Sequence, residues 1–174
     1  QASGEEAKVR RRHACAMRDF FAGANDENVA FRVLGTHGER LQAEWRNGQS
    51  ALAWAVAHEP PLAVAIVAHI RVGMPAGMRR ELIGMLDATE PFVDEAATPD
   101  IRAAWYLVSA HMNTGRAAKA VDHAQRSFEL YRELGDSRGT FRACIRRLIN
   151  LSTFDTARAA TALAELRALE QPSV

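Results

Sequence analysis

Six histidines, two cysteines and two lysines are the side chains of this sequence best suited to ligate a metal, attack a carbonyl or hold a phosphate. His13, His37, His58, His69, His111 and His123 include no pair at the i,i+4 spacing by which a helix presents two imidazoles to zinc, and His37-Gly-Glu39 lacks the second histidine of a zinc-protease helix. Cys15 and Cys144 fit no metal, redox or catalytic spacing. A phosphate-binding loop needs a Gly-rich backbone and a lysine aimed at the phosphates, and neither Lys8 nor Lys119 sits in one. Gly73-Met-Pro-Ala-Gly77 lacks the lysine and follows an expected helix instead of a strand, and no nucleophile elbow is found. No catalytic residue, metal or cofactor is therefore expected, and the chain reads as a non-enzyme.

The elements that position these side chains are all helical by pattern. Glu5 to Phe21 has Val9, Ala14, Met17, Phe20 and Phe21 on its apolar side and ends at Gly23-Ala-Asn-Asp26. Val29 to Leu34 is a short apolar piece closed by Gly35 and Gly38. From Glu39 to His58, Leu41, Trp45, Leu52 and Val56 share a face, and Ala51, Trp54 and Ala55 widen it, the mark of a sandwiched helix. Pro60-Pro61 stops that helix and starts the next, since proline suits a first helical turn. Leu62 to Val72 is almost wholly apolar and reads as a buried helix broken by Gly73-Met-Pro75. Gly77 to Ala88 places Met78, Leu82, Met85 and Leu86 at helical spacing, and Thr89 to Ala97 reads as a loop or short helix.

Thr98-Pro99-Asp100 is a helix start, with a capping hydroxyl, a proline and an acid at the positive dipole end. That helix runs to about Asn113. Arg116 to Leu134 follows, with Ala120, Val121, Ala124 and Phe128 inward. Ser137 to Ser152 carries Phe141, Ile145, Leu148 and Ile149, and Asp155 to Leu169 carries Ala160, Leu163 and Leu166. No alternation bounded by hairpin turns is present, so the fold class is all-α.

The chain has 174 residues, 48% hydrophobic and 25% charged, which suits one globular core and excludes general disorder. Its net charge of +1 argues against a dedicated nucleic-acid binder. Alanine supplies 33 residues and arginine 20, a composition of GC-rich bacterial genomes in which close helix packing is expected. No apolar run approaches a membrane span, no secretory signal opens the chain, and two unpaired cysteines suit a reduced cytoplasm. The first residue is not Met, so a fragment of a longer protein is expected.

Several polar and aromatic residues invite functional readings that packing explains more simply. His69 and His111, on largely apolar helices, suit core-edge histidines bonded to backbone better than ligands or proton sensors. Lys8 to Arg12 suits a solvated helix face better than a DNA contact, and Trp45 and Trp54 suit core positions better than ligand stacking.

The segments from Pro99 and from Gly139 share one plan, helix, turn and Ala-rich helix, at a spacing of about 40 residues. They resemble the tetratricopeptide repeat: with Gly115 opening the turn, Leu107 and Ala120 fall on two of its packing positions. His111 stands where an aromatic is usual, and Thr153-Phe154 where a glycine is expected. Phe128-Glu-Leu-Tyr-Arg-Glu-Leu-Gly-Asp-Ser-Arg-Gly139 is similar to a repeat boundary common in large bacterial ATP-binding regulators. Glu44-Trp-Arg-Asn47 with Ala51-Leu52-Ala-Trp54-Ala55 resembles the Glu-x-x-Asn…Ala-Leu-x-Trp-Ala segment opening the helical region of those proteins, and Arg12-His13-Ala14 its first helix. Gly48 departs from the usual aliphatic residue and is expected to loosen its helix.

The resemblance implies the C-terminal helical-repeat region of a signal-transduction ATPase or of a LuxR-type or winged-helix transcriptional regulator. The expected architecture is an α-α superhelix in one domain over 1–174, with divergent hairpins over 1–97 and two tetratricopeptide-like hairpins over 98–174. Such repeats present a concave binding surface. In this register Arg102, Trp105, Ser109, Met112 and Asn113 face it, continued by Arg142 and Ile145. A second reading packs Trp105 between hairpins, because Val108 and Met112 beside it are apolar. The expected function is a sensor or interaction module that binds a protein, a peptide or a small-molecule inducer, with no direct contact to nucleic acid or membrane. A passive homodimeric scaffold is the alternative.

Overall fold

The computed structural model describes residues 2–26, 34–70, 76–113 and 115–170. Among them every regular element is helical and there is no strand, as the periodicity requires. The chain divides into two compact units, Gln1–Ala97 and Thr98–Val174.

In the first unit α1 is Ala2–Asp26, α2 Leu34–His58, α3 Pro60–Ala68, α4 Arg79–Thr89 and α5 Val93–Ala96. The unit is organised around α3, which begins on Pro60-Pro61 and buries every residue from Leu62 to Ala68. A helix without one polar side chain is stable in water only when neighbours cover it all round. Here α1, α2, α4 and α5 all pack against it. Burial of each of Leu62, Val64, Ile66 and Val67 is worth about 1.5–3 kcal/mol as an upper bound.

Ala14, Met17 and Phe21 of α1 and Leu41, Trp45 and Leu52 of α2 are buried in the core of this unit, where α1 packs on α2. Gly48 decides how closely α1 and α2 meet: a Cβ there would stand 2.8 Å from Cζ of the buried Phe21. The glycine expected to loosen α2 thus seats a phenyl ring against its backbone. Trp45 is buried, and its indole N–H donates to the Glu81 carboxylate of α4, which also accepts from Gln49 Nε2 at 3.1 Å. Trp54 is half-buried and stacks on His58, with centroids 5.0 Å apart. Lys8 to Arg12 lies exposed on α1, with Arg11 paired to Glu59 at 2.7 Å.

The start of α2 differs from expectation, and the 89–97 segment takes its short-helix alternative. Gly35 and Gly38 fall inside the opening turns of α2 instead of closing a separate piece, because an initial turn whose N–H groups have no intrahelical partner tolerates glycine. The 89–97 segment is helical, a 3-10 turn over Glu90–Phe92 leading into α5. The apolar piece up to residue 33 and the Gly73-Met-Pro75 break lie outside the described residues.

In the second unit α6 is Pro99–Met112, α7 Ala117–Glu133, α8 Ser137–Phe154 and α9 Thr156–Glu170. Thr98 stands at the N-cap of α6, but its hydroxyl makes no cap bond there. Aspartates do that work further on: Asp136 accepts from the Gly139 N–H at 2.9 Å and Asp155 from the Arg158 N–H at 3.0 Å. The α7 C-terminus closes through Gly135 at φ +70°, with Asp136 N–H bonded to Tyr131 O at 3.0 Å and Gly135 N–H to Arg132 O at 3.1 Å, the double bond of a Schellman turn. Successive helices pack on one another, and α6 also touches α8.

The inward faces of α8 and α9 are not those their bulkiest residues suggest. Gly139, Thr140, Ala143, Cys144, Arg147, Asn150 and Leu151 are buried on α8, while Ile149 is 45% exposed. On α9 the buried residues are Ala159 and Ala162, and Leu166 packs against the cluster of Leu107, Phe128, Ala143 and Cys144, whereas Ala160 and Leu163 are exposed. Small side chains turn inward, and the Tyr131 ring of α7 rests directly on Gly139, where a Cβ would overlap it.

Gly139→Ala is expected to lower unfolding stability in urea by about 1–3 kcal/mol, although alanine is the better helix former. In a Tyr131→Ala background the same change should cost almost nothing. Equal costs in both backgrounds would show that the ring does not set the spacing.

Candidate functional site

The second unit holds the expected groove residues, and the structure divides them. Trp105 and Ser109 are fully buried and Met112 and Asn113 nearly so, so these four are corrected from groove to interior. Arg102 is half-buried, Arg142 exposed and Ile145 half-buried, so these three reach the surface. Burial follows from the register: α6 is covered on most of its circumference, and its more accessible line runs through Asp100, Ala104 and His111.

Inside, Trp105 packs edge-on to Tyr106 with centroids 5.4 Å apart and against the His123 ring of α7 at 5.6 Å. His123 Nδ1 lies 2.7 Å from Ser109 Oγ, which also accepts from Asn113 Nδ2 at 2.9 Å. A serine hydroxyl on an imidazole is the geometry of an activated nucleophile, but this hydroxyl is closed to any substrate. The pair instead ties α6 to α7, as does Ser127 Oγ–H donating to Ala103 O at 2.8 Å.

Two buried polar residues of α8, Asn150 and Arg147, escaped the sequence reading. Asn150 Nδ2 donates to Ala120 O at 3.0 Å and to Ala110 O at 3.3 Å, joining α8 to α7 and α6. The Arg147 side chain is 7% exposed, pairs with Glu165 of α9 and donates to Gln125 Oε1 of α7 at 2.8 Å. Its guanidinium lies 4.4 Å from the Phe128 ring centroid, and burial pulls its pKa below the ordinary value. The available signal was spacing: Ala143, Arg147 and Leu151 recur at i,i+4, as do Thr140 and Cys144. Cys144 sits in the same layer with Sγ 3.6 Å from Ala162 O, and burial pushes its thiol up.

Two surfaces remain. A shallow groove between α6 and α7 is lined by Arg102, Tyr106, Arg126, Glu129, Leu130 and Glu133. Arg126 donates to the Tyr106 hydroxyl at 3.1 Å and pairs with Asp122 at 3.0 Å, so the groove's positive charge is partly committed. The second surface is the outer face of α8, where Arg138, Arg142 and Ile149 are exposed and Ile145 and Arg146 half-buried. His111 borders it from α6, its Nε2 against the Arg146 guanidinium.

Among the described residues no three His, Cys, Asp or Glu side chains are grouped to hold a metal, and no helix is long and apolar enough to cross a membrane. Comparison with models of known protein families, with curated proteins and with solved structures finds no match.

The Tyr131 hydroxyl reports on the α7–α8 contact. Burial pushes its pKa up to about 12, against the opposing pull of Arg142. The folded chain therefore holds the phenolic proton above pH 10 where the unfolded chain releases it, and stability falls as pH rises from 10 towards 12. Absorbance titration should show this late ionisation, and Tyr131→Phe should flatten the alkaline loss. For Arg147, Arg147→Ala should cost about 2–4 kcal/mol in urea, whereas Arg147→Met, which refills the space beside Phe128 and leaves Glu165 half-exposed, should cost under about 1.5 kcal/mol.

Proposed function

We propose that the chain is a non-catalytic interaction module of tetratricopeptide-like hairpins that binds a protein, a peptide or a small-molecule inducer on the surface shared by α6 and α8. One observation carries this reading: α6 packs on α8 as well as on α7, and the outer face of α8 keeps Arg142 and Ile145 open beside it. Alternate helices touching across an intervening one is how stacked hairpins build an extended binding face. The bacterial ATP-dependent signalling or transcriptional context rests on the resemblance of Glu44–Ala55 and Phe128–Gly139 to such regulators. In that setting occupancy changes the state of an attached ATPase only if the ligand binds its two states with different affinity.

A homo-oligomerisation scaffold is the second reading, favoured by the exposed Ile149, Phe154, Leu163 and Leu169 of α8 and α9. Sedimentation velocity from low to high micromolar chain separates the two. A monomer is expected. A dimer dispersed by Leu163→Glu would replace the module with the scaffold. Arg142→Ala and Ile145→Ala should each move Tm by less than about 3 °C, as surface positions do; a larger fall in both would place them in the core and remove the surface.

A further inference from the structure

We infer, independently of the interaction-module reading, that α9 is a hinged lid: it lifts from α8 under native conditions and uncovers the Cys144 thiol while the rest of the second unit stays folded. In this unit α6, α7 and α8 each pack on two other helices, whereas α9 ends the stack and packs on α8. Apolar cohesion grows with the area withdrawn from water. From its 15 residues α9 turns inward Ala159 and Ala162, both buried, and Leu166, half-buried. Two methyl groups and part of a leucine hold weakly a helix of that length, whose Ala157, Ala160, Leu163, Ala164 and Ala168 are exposed.

The polar tie of α9 is one that water can replace. Glu165, with its side chain 42% exposed, pairs with Arg147 of α8. Lifting α9 hydrates both ions, and Arg147 keeps the Phe128 ring and the Gln125 oxygen, both on α7. A buried cation that gains water as its partner leaves is not stranded, so parting this pair costs less than it would in a closed core. The joint is a single residue, Asp155, between the end of α8 and the start of α9. Its N–H bonds Leu151 O at 2.7 Å and its carboxylate accepts from the Arg158 N–H at 3.0 Å. Each helix end is thus satisfied locally, and the chain turns at Asp155 without breaking a bond of α8. Beneath the lid, Cys144 and Leu151 are buried, with Val121 and Leu148 packed beside Leu151. Cys144 Sγ lies 3.6 Å from Ala162 O, so the lid covers the thiol directly. Segments with few buried apolar contacts open at a lower free energy than the whole domain, and a thiol under such a segment reports the opening.

The test is thiol labelling of the full chain carrying Cys15→Ser, which leaves Cys144 as its single cysteine. The probe is 5,5′-dithiobis(2-nitrobenzoate), read by absorbance in urea from zero to below the unfolding midpoint. Cys144 should react through an opening whose urea dependence is less than about half that of global unfolding. Glu165→Ala should speed the reaction several-fold, since it removes a tie made only when the lid is closed. Ser127→Ala, which removes the α7–α6 bond to Ala103 O, should lower global stability and leave the reaction unchanged, because that bond persists when the lid is open. Reaction with the full urea dependence of global unfolding, accelerated by Ser127→Ala, would overturn the lid. Reaction at the rate of a free thiol in zero urea would also overturn it, by showing that α9 does not cover Cys144.

Discussion

The Tyr131 ring lies on the backbone of Gly139, and the Phe21 ring lies on Gly48 in the other unit. In both places an aromatic ring of one helix lies so close to its neighbour's main chain that no Cβ fits between. This close approach sets the character of the interior. Helices whose axes lie near one another leave room for Ala, Gly, Cys and Ser at the seam, and Ala120, Ala124, Ala143, Cys144, Ala159 and Ala162 fill it in the second unit. Dispersion across a tight seam of small residues substitutes for the larger side chains that a wider spacing requires.

Such a seam supplies little apolar area, and polar side chains reinforce it. Asn150 bonds carbonyls of two other helices, Ser127 bonds a third, and Ser109 with His123 makes a fourth link. Arg147 joins three helices through a ring face, an amide oxygen and a carboxylate. A buried hydrogen bond is modest in net worth, but a buried donor left alone is costly, so these links specify one helix register more than they add stability.

Turning Arg147 and Asn150 inward also determines what faces out. With the inward arc of α8 taken by Ala143, Arg147, Asn150 and Leu151, the opposite arc is left to Arg138, Arg142, Ile145 and Ile149. The candidate surface is thus a consequence of the core's register. A rotation of α8 by about half a turn would bury Ile145 and Ile149 and expose the polar links.

Much was legible in the sequence. Helical periodicity, proline at helix starts and glycine after helix ends placed the described helices, and seven apolar residues in succession marked α3 as buried on all sides. Those signals are local: hydrogen bonds within a helix and backbone preferences act over a few residues and need no partner. Of the candidate surface, Arg142 and Ile145 were legible. Trp105 was left between groove and interior because large aromatics serve partners and cores alike, and only its burial against Tyr106 and His123 distinguishes the two. The inward faces of α8 and α9 run through smaller residues, leaving the bulkier Ile149 and Leu163 outside. The sequence alone determined that the chain is helical and where its helices turn. The tertiary structure decided which side of each helix is inside, because that choice depends on the distance between axes, which no single helix contains.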